Sequence, residues 1–545
     1  MNHIDALRTQ LESKANTSIQ MPEYFNFGFD VIDEIANKRD KTAYIEVDAS
    51  GSEIIEHSFS DLRDRSNQMA NLLNQHGLAR GDFAVVLLPR IAAWYEVMIG
   101  CIKLGVVAMP GTNLLTARDI EFRINHAKAT TVIVSEEHVE KINEIKARCP
   151  SLKHFFVVGR KRETWVSVED ELPKASNSLT QSDAGTSRSD EMMLAYFTSG
   201  TTANPKLVPR NHGYALAHYI TGAYWLNLQK DDVHWTLSDT GWAKAAWGML
   251  FGPWIMESAM VLYNGSGFDA ELHLQLIERL KVTSFCAPPT IYRLFAQMPL
   301  SDYNLSSIRH ATGAGEPLNP EVIRIWKDAT NTDIHDGYGQ TETVCIVANQ
   351  SGFAVRPGSM GKATPGFDVQ IVDDEGKEVD TDEIGHIALR MTDIAPPGLF
   401  DGYMIDAQNK DTSAFHHGFY FTGDTATRDA GGYIWFVGRA DDVISSAGYR
   451  ISPFEIESTL IEHAAVAESA VIGIPDELRG SIVKAFIVLS ADFKPSDELK
   501  EEIQTFVKTT TAPYKYPREI EFRESLPKTI SGKIRRVELR ETNDD

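Results

Sequence analysis

Several things are scarce in this 545-residue chain. Only four cysteines occur (Cys101, Cys149, Cys286 and Cys345), far apart and with no C-x-x-C pair. That spacing argues against a disulfide framework and a cysteine zinc site, and it suits free thiols in a reducing compartment. No H-E-x-x-H is present, and the adjacent His416 and His417 lack partner ligands, so they read as surface or loop residues. Basic residues are outnumbered. The 53 Lys and Arg against 76 Asp and Glu give a formal net charge of −23, which argues against nucleic acid as a partner. The longest strongly apolar run, "AAWGMLFGPWIM" at 245–256, is too short to cross about 30 Å of hydrocarbon. It predicts a buried helix and no stable membrane insertion. The opening "MNHIDALRTQLESKANTSIQ" has no continuous apolar stretch and carries Asp5 and Glu12, which disfavours a secretory or organelle leader. From these absences a cytoplasmic enzyme is the expectation.

What is present is ordinary for a globular protein: 43% hydrophobic and 24% charged residues. At roughly 150 residues per domain, the length predicts about three or four structural units. From residue 82 the pattern alternates between strand and helix. "DFAVVLL" reads as a strand, "AAWYEVMIGCIKLG" as a helix ending at Gly105, "VVAMP" as a strand, "ARDIEFRINHAKA" as a helix and "TTVIVS" as a strand. Such alternation predicts parallel βαβ units with helices covering the sheet. Residues 174–190, rich in Ser, Asp and Thr, read as a linker. A second alternating run follows, with strands at 192–197, "VTSFCAPP" and "IRHATGAG". Near residue 360 the texture changes to short strands and turns, and beyond "GRADD" a further α+β segment begins. A boundary is therefore expected near residues 438–442.

The loop "YFTSGTTANPK" (196–206) places hydroxyls, a glycine and Lys206 where a strand runs out. Backbone N–H groups, Thr and Ser hydroxyls and one ammonium are a means of holding phosphate oxygens. It is not a Walker loop, because Pro205 stands where that pattern needs glycine. An ordinary polar loop is the bland alternative. Other segments agree with the sharper one. "DGYGQTET" (336–343) sets Glu342 beside hydroxyls, a donor set that suits Mg²⁺. "YFTGD" ends on Asp424, whose carboxylate suits ribose hydroxyls, while "GRADD" supplies Arg439 and "PKTISGKIRR" carries Lys533 on a turn.

In order and spacing these five segments resemble the motifs of the adenylate-forming acyl-CoA synthetase superfamily. "LSDTGWA", "GYRISPFEIES" and "TAPYKYPREIEF" look most like its medium-chain members. The resemblance covers nearly the whole chain. It implies an α/β fold: a large N-terminal domain of two α/β sheet subdomains plus a small β-barrel (1–438), and a small mobile α+β C-terminal domain (439–545). It also implies that ATP, Mg²⁺ and coenzyme A are used to activate a medium-chain, branched or aromatic carboxylic acid. By resemblance, Thr198, Ser199, Gly200, Thr201, Thr202 and Lys206 wrap the β- and γ-phosphates. Gly315, Glu316 and Pro317 border adenine, and Asp336, Gly337, Tyr338, Gly339, Gln340 and Thr341 flank the nucleotide. Glu342 holds the metal, with Thr341 beside it at the catalytic centre. Asp424 and Arg439 meet the ribose. Lys533 bridges carboxylate and α-phosphate, and Asp441 is the hinge. Gly448 and Tyr449 border the pantetheine passage, Arg450 is a further cofactor-binding residue, and Arg479, Lys508, Tyr516 and Arg518 meet the nucleotide end of coenzyme A. Trp242, Gly313, Leu114 and Thr341 shape the acyl pocket.

The chain departs from the family pattern at three places. Ala203 stands where the phosphate loop usually has glycine, "AGYR" replaces "SGYR" at Ala447, and Leu114 replaces a glutamine common in the similar enzymes. Two other readings belong to different classes: an adenylating ligase that delivers its acyl group to a carrier protein or other acceptor, and a non-catalytic nucleotide-binding protein. Homo-oligomerisation stays open.

Overall fold

The structure, a computed structural model, describes residues 3–13, 19–198, 205–265, 267–314, 320–406, 408–446, 449–476, 479–528 and 534–541. The chain packs as two compact units, residues 1–368 with 390–414, and residues 369–389 with 415–545.

The first unit holds two sheets. In chain order its strands begin with β1 (Thr42–Val47), β2 (Ile54–Ser58), β3 (Phe83–Leu87), β4 (Val107–Pro110) and β5 (Thr131–Ser135). They continue with β6 (His154–Val158), β7 (Val166–Ser167), β8 (Met192–Thr198), β9 (Lys206–Asn211), β10 (Val233–Thr236) and β11 (Ala259–Tyr263). Next come β12 (Ser284–Ala287), β13 (His310–Gly313), β14 (Ile334–Tyr338), β15 (Val347–Ala348) and β16 (Lys362–Ala363). After β17 (Val369–Val372) and β18 (Gly385–Arg390), which belong largely to the second unit, β19 (Tyr403–Met404) and β20 (Lys410–Asp411) return to the first. One sheet has the order β7-β6-β5-β3-β4-β8-β9-β19-β20, the other β2-β1-β11-β10-β12-β13-β14-β15-β16. Both have a parallel centre; the first sheet is antiparallel only at the β8-β9-β19-β20 edge and parallel through β5, β6 and β7, while the second is antiparallel at both edges.

The local reasons follow from sequence. β3, β4 and β5 are apolar along nearly their whole length and buried, as strands sandwiched between helix layers must be. The helices α1 (Phe59–Gln75), α2 (Ala92–Leu104) and α3 (Ala117–Ala127) cover that sheet. α2 stops where Gly105 takes the left-handed conformation, and α3 starts at a Thr116–Asp119 capping box. The expected buried helix at 245–256 exists as a helical run from Ala243 to Ile255, with a π-helical turn at Trp247–Phe251, and Ala245 through Ile255 are buried. All four cysteines are free and buried.

The segment 174–190 is not a linker between domains, because β7 before it and β8 after it lie in the same sheet. Asn67 and Asn71 of α1 donate to the carbonyls of Asn177 (3.0 Å), Ser176 (2.7 Å) and Ser178 (3.1 Å). Arg80 donates to those of Ala184 (3.2 Å) and Gly185 (2.7 Å). Polar composition predicted exposure correctly. The tether comes from side chains some 105 to 110 residues upstream, which local composition does not reveal.

In the second unit β17 and β18 join β21 (Phe415–His416), β22 (Phe419–Arg428) and β23 (Ile434–Arg439) in a five-stranded sheet, the small half-barrel. His416 stacks on Phe421 at 4.0 Å between ring centroids. Then come the hairpin β24 (Ile444–Ser446) and β25 (Tyr449–Ile451), helix α4 (Pro453–Ile461), β26 (Val466–Asp476), β27 (Gly480–Leu489), helix α5 (Asp497–Thr510), β28 (Glu519–Phe522) and helix α6 (Arg536–Glu541). Ile456, Leu460, Val471, Ile487, Ile503 and Val507 form its core.

Candidate active site

In the first unit the singled-out residues stand at or just beyond the carboxyl ends of parallel strands from both sheets. Leu114 follows β4, Thr198 closes β8, Trp242 follows β10, Gly313 closes β13 and Tyr338 closes β14. That end of an open α/β sheet is where ligands collect, since helix N-termini and strand-end loops face it. The loop after β10 is clamped to the other sheet. Thr240 donates through Oγ1 to the Leu88 carbonyl (2.6 Å), Thr112 Oγ1 donates to Asp239 Oδ2 (3.0 Å), and Asp239 Oδ1 accepts from the Gly241 N–H (2.8 Å). Burial raises the Asp239 carboxyl above the usual range. Trp242 is half-buried just after this clamp. Leu114, whose N–H donates to Thr112 Oγ1 at 3.3 Å, is brought to the same loop pair, but its side chain is 63% exposed.

β8 and β9 pair antiparallel, with Thr198 opposite Lys206. They bracket the hydroxyl-rich loop at its two ends. Lys206 Nζ lies 3.2 Å from Asp411 Oδ2 on β20 and 4.5 Å from the centroid of the Tyr403 ring on β19. The Ser413 hydroxyl and N–H hold the Asp411 carboxyl down at about 2, with Lys206 adding to the effect. Tyr403 Oη donates to Glu342 Oε1 at 2.8 Å. Glu342 is buried, and its own carbonyl accepts from Arg210 Nη1 (2.8 Å) and from the Phe400 N–H (2.9 Å). Arg210, four residues along β9 from Lys206, is fully buried; it also donates to the Gly398 carbonyl and stacks 3.8 Å over Tyr214. Lys206, Arg210, Tyr403 and Glu342 thus form one connected group.

The "DGYGQT" segment is shaped by close approach. A Cβ at Gly337 would meet the Trp225 indole at 2.4 Å, and one at Gly339 would meet the Val344 carbonyl at 2.2 Å, so only glycine fits. Gln340 N–H donates to Thr343 Oγ1 at 2.9 Å, and Thr341 is half-buried. Burial pushes the Asp336 carboxyl up to about 8, against the pull of the Gly337 N–H and the Lys244 charge. Lys244 donates to the Ala314 carbonyl at 3.2 Å.

Within the second unit Asp424 and Arg439 are cross-strand partners on β22 and β23, with Arg439 Nη1 3.1 Å from the buried Asp424 Oδ1. Asp441 is half-exposed and 3.9 Å from Arg439 Nε. Tyr449 is 51% exposed and stacks on Tyr514 at 4.2 Å. Arg450 lies on β25, its backbone paired with Ser445. Lys508 on α5 and Arg518 both approach the Tyr516 ring, at 5.4 and 5.1 Å, so these three expected coenzyme contacts are gathered in one place. Arg479 stands apart, in the turn between β26 and β27. Ser199, Gly200, Thr201, Thr202, Ala203, Gly315, Glu316, Pro317, Ala447, Gly448 and Lys533 lie outside the described residues.

Sequence reasoning missed Arg210, Tyr403, Asp411, Asp239 and Thr112. The one available signal was an arginine inside an otherwise buried strand, "KLVPRN", where an unpaired charge is not tolerated. Among the described residues no group of three or more His, Cys, Asp or Glu could hold a metal. No helix among them is long and apolar enough to cross a membrane.

Comparison with known proteins places the chain in a family. A family model described as AMP-binding enzyme matches residues 32–404, and one described as AMP-binding enzyme C-terminal domain matches residues 455–533. The chain is 44% identical over 538 residues to acyl-coenzyme A synthetase ACSM3, mitochondrial, of Mus musculus, covering 97% of this chain and 92% of that protein. It is 43% identical over 533 residues to acyl-coenzyme A synthetase ACSM4, mitochondrial, of Homo sapiens, covering 96% and 91%. Among solved structures, the anthranilate CoA ligase AuaEII in complex with anthranoyl-AMP superposes with a TM-score of 0.86 at 33% identity over 96% of this chain and 98% of that one. A benzoate CoA ligase from Burkholderia xenovorans superposes with a TM-score of 0.81 at 26% identity over 95% and 100%. Both acyl-coenzyme A synthetases are mitochondrial, and this overturns the expectation of a cytoplasmic location.

Proposed function

The chain belongs to the AMP-binding enzyme family, and from that premise we propose that it is an AMP-forming acid–thiol ligase acting on a medium-chain, branched or aromatic carboxylate. A carboxylate oxygen attacks the α-phosphorus of ATP, the bond to the β-phosphate oxygen breaks, and acyl-adenylate and pyrophosphate result. The thiol of coenzyme A then attacks the acyl carbonyl carbon, gives up its proton and displaces AMP. No protein nucleophile is needed; positioning and charge neutralisation supply most of the acceleration.

The observation that carries this reading is the convergence of Lys206 and Glu342 through Tyr403 at the strand ends, at distances of 4.5 and 2.8 Å. It pairs a cation suited to phosphate oxygens with a carboxylate suited to a hard metal ion. A single carboxylate suits Mg²⁺, which takes its remaining ligands from phosphate oxygens and water. Glu342 would hold the ion, which when bound neutralises charge on the phosphates. Asp336, Gly337, Tyr338, Gly339, Gln340 and Thr341 flank the nucleotide in this reading, and Asp424 with Arg439 meets the ribose. Trp242, Gly313 and Leu114 border the acid. Residues 439–545 move about Asp441, exchanging Lys533 for the Tyr449 loop between the two half-reactions. Lys508, Tyr516 and Arg518, gathered in one place, receive the coenzyme's anionic end together with Arg479; thiol transfer to a carrier protein would need no such basic groups.

A pyrophosphate-release assay with and without coenzyme A, run across a panel of acids, tests the proposal. C4–C8 linear, branched or aromatic acids should exceed acetate and palmitate in kcat/KM, with acyl-CoA and AMP as products only when coenzyme A is present. Acetate as the best acid, or turnover indifferent to coenzyme A, would contradict it.

A further inference from the structure

Tyr403 lies in none of the segments that carry Lys206 and Glu342, yet it touches both. Its backbone is pinned twice in the sheet. Met404 pairs with Leu207 of β9, and Tyr403 itself pairs with Asp411 of β20. The Phe400 ring packs edge-on against it at 4.9 Å. From this fixed base the ring face meets the Lys206 ammonium at 4.5 Å while the hydroxyl donates to Glu342 Oε1 at 2.8 Å.

We propose that Tyr403 is a positioning residue that keeps Lys206 and Glu342 in mutual register for a metal-bound nucleoside triphosphate. The inference rests on the reading of Lys206 as a phosphate partner and Glu342 as the metal-binding carboxylate. A lysine side chain is flexible, and holding its ammonium over an aromatic face limits where it can go. The face leaves the N–H donors able to exchange Asp411, 3.2 Å away, for phosphate oxygens. A carboxylate left to rotate presents its oxygens to a metal in many ways. A hydroxyl donating to one oxygen selects a single rotation. The same ring therefore restrains a cation and an anion whose separation must match that between the phosphates and their metal ion. Glu342 is fixed from behind as well, by Arg210 and the Phe400 N–H on its carbonyl. Backbone and side chain are thus restrained by different groups, and the tyrosine hydroxyl can be removed without touching the first.

The test is calorimetric titration of the full chain with α,β-methylene-ATP, which cannot be cleaved at the bond the reaction breaks, with and without Mg²⁺. Wild type should gain affinity from the metal. Tyr403→Phe keeps the ring and loses the hydroxyl, so metal-free affinity should stay within about twofold while the gain from Mg²⁺ falls about tenfold, as loss of a hydrogen bond to a charged group implies. Tyr403→Leu removes the ring too, and metal-free affinity should then fall as well. Melting temperatures without ligand report the fold of each variant. Glu342→Gln in the same assay separates the two levels of the argument. If it leaves the Mg²⁺ gain intact, the reading of Glu342 fails. If it abolishes the gain while Tyr403→Phe does not reduce it, the role of Tyr403 alone is overturned.

Discussion

Lys206 in the first unit and Lys508 in the second both sit near an aromatic ring, at 4.5 and 5.4 Å, in different surroundings. Lys206 has an ion-pair partner on β20, beyond the adjoining β19, and its ring partner reaches on to a buried carboxylate whose backbone is held by a buried arginine. Lys508 stands on an exposed helix face, with Tyr516 and Arg518 as its company. Under the proposed function the difference has a physical reason. Groups that stabilise charge in a transition state must be held before the reaction, because reorganisation at that moment costs rate. Groups that only capture an anionic coenzyme gain little from rigidity, since water and salt share their work.

The comparison yields predictions of decreasing size. Asp441→Pro fixes φ at the expected hinge, and it should leave adenylation intact while slowing thioester formation by about 10² or more. Equal loss of both steps in a folded protein would erase the division between the two regions. Arg210→Met should cost roughly 2–4 kcal/mol of stability in denaturant unfolding, because the buried carbonyls of Glu342 and Gly398 each lose a charged donor. A loss under 1 kcal/mol would mean that the first region is no more interlocked than the second.

Acid should also separate the regions. Burial holds His234 down at about 4 and His310 at about 3, both in the first unit. Below about 6.5 the unfolded chain takes protons that these buried rings refuse, so their contribution to stability is complete above that pH and is lost as pH falls toward 4. At pH 5.5 each should cost about 1 kcal/mol relative to pH 7.5, read from denaturation midpoints. Smallest of all, Lys508→Ala with Arg518→Ala should raise the KM for coenzyme A several-fold, with stability unchanged. The effect should shrink as salt rises, as befits exposed charges.

How much of this was legible in sequence depends on distance along the chain. β3, β4 and β5 were readable because each is an unbroken apolar run. α2 was readable to its last turn because Gly105 ends it. The motif residues at 336–342 and 424–439 were singled out because their spacing resembles a family. Tyr403 and Arg210 were not. Their partners lie 61, 132 and 188 residues away, and pairings at that range leave no local periodicity to detect. The strap at 174–190 misled for the same reason, since its polar composition was plain and its tethers were remote.

In the proposed function the division of labour between the two regions turns on Lys533. Its charge should be used when carboxylate and α-phosphate meet, and be absent when the thiol attacks. Rapid-quench measurement of both half-reactions in Lys533→Ala tests this most directly. Acyl-adenylate formation should fall by at least about 10², the value of one well-aimed donor, while preformed acyl-adenylate and coenzyme A should give thioester at close to the wild-type rate. Undiminished ATP–pyrophosphate exchange in the folded variant, or thioester formation slowed as much as adenylation, would contradict the account.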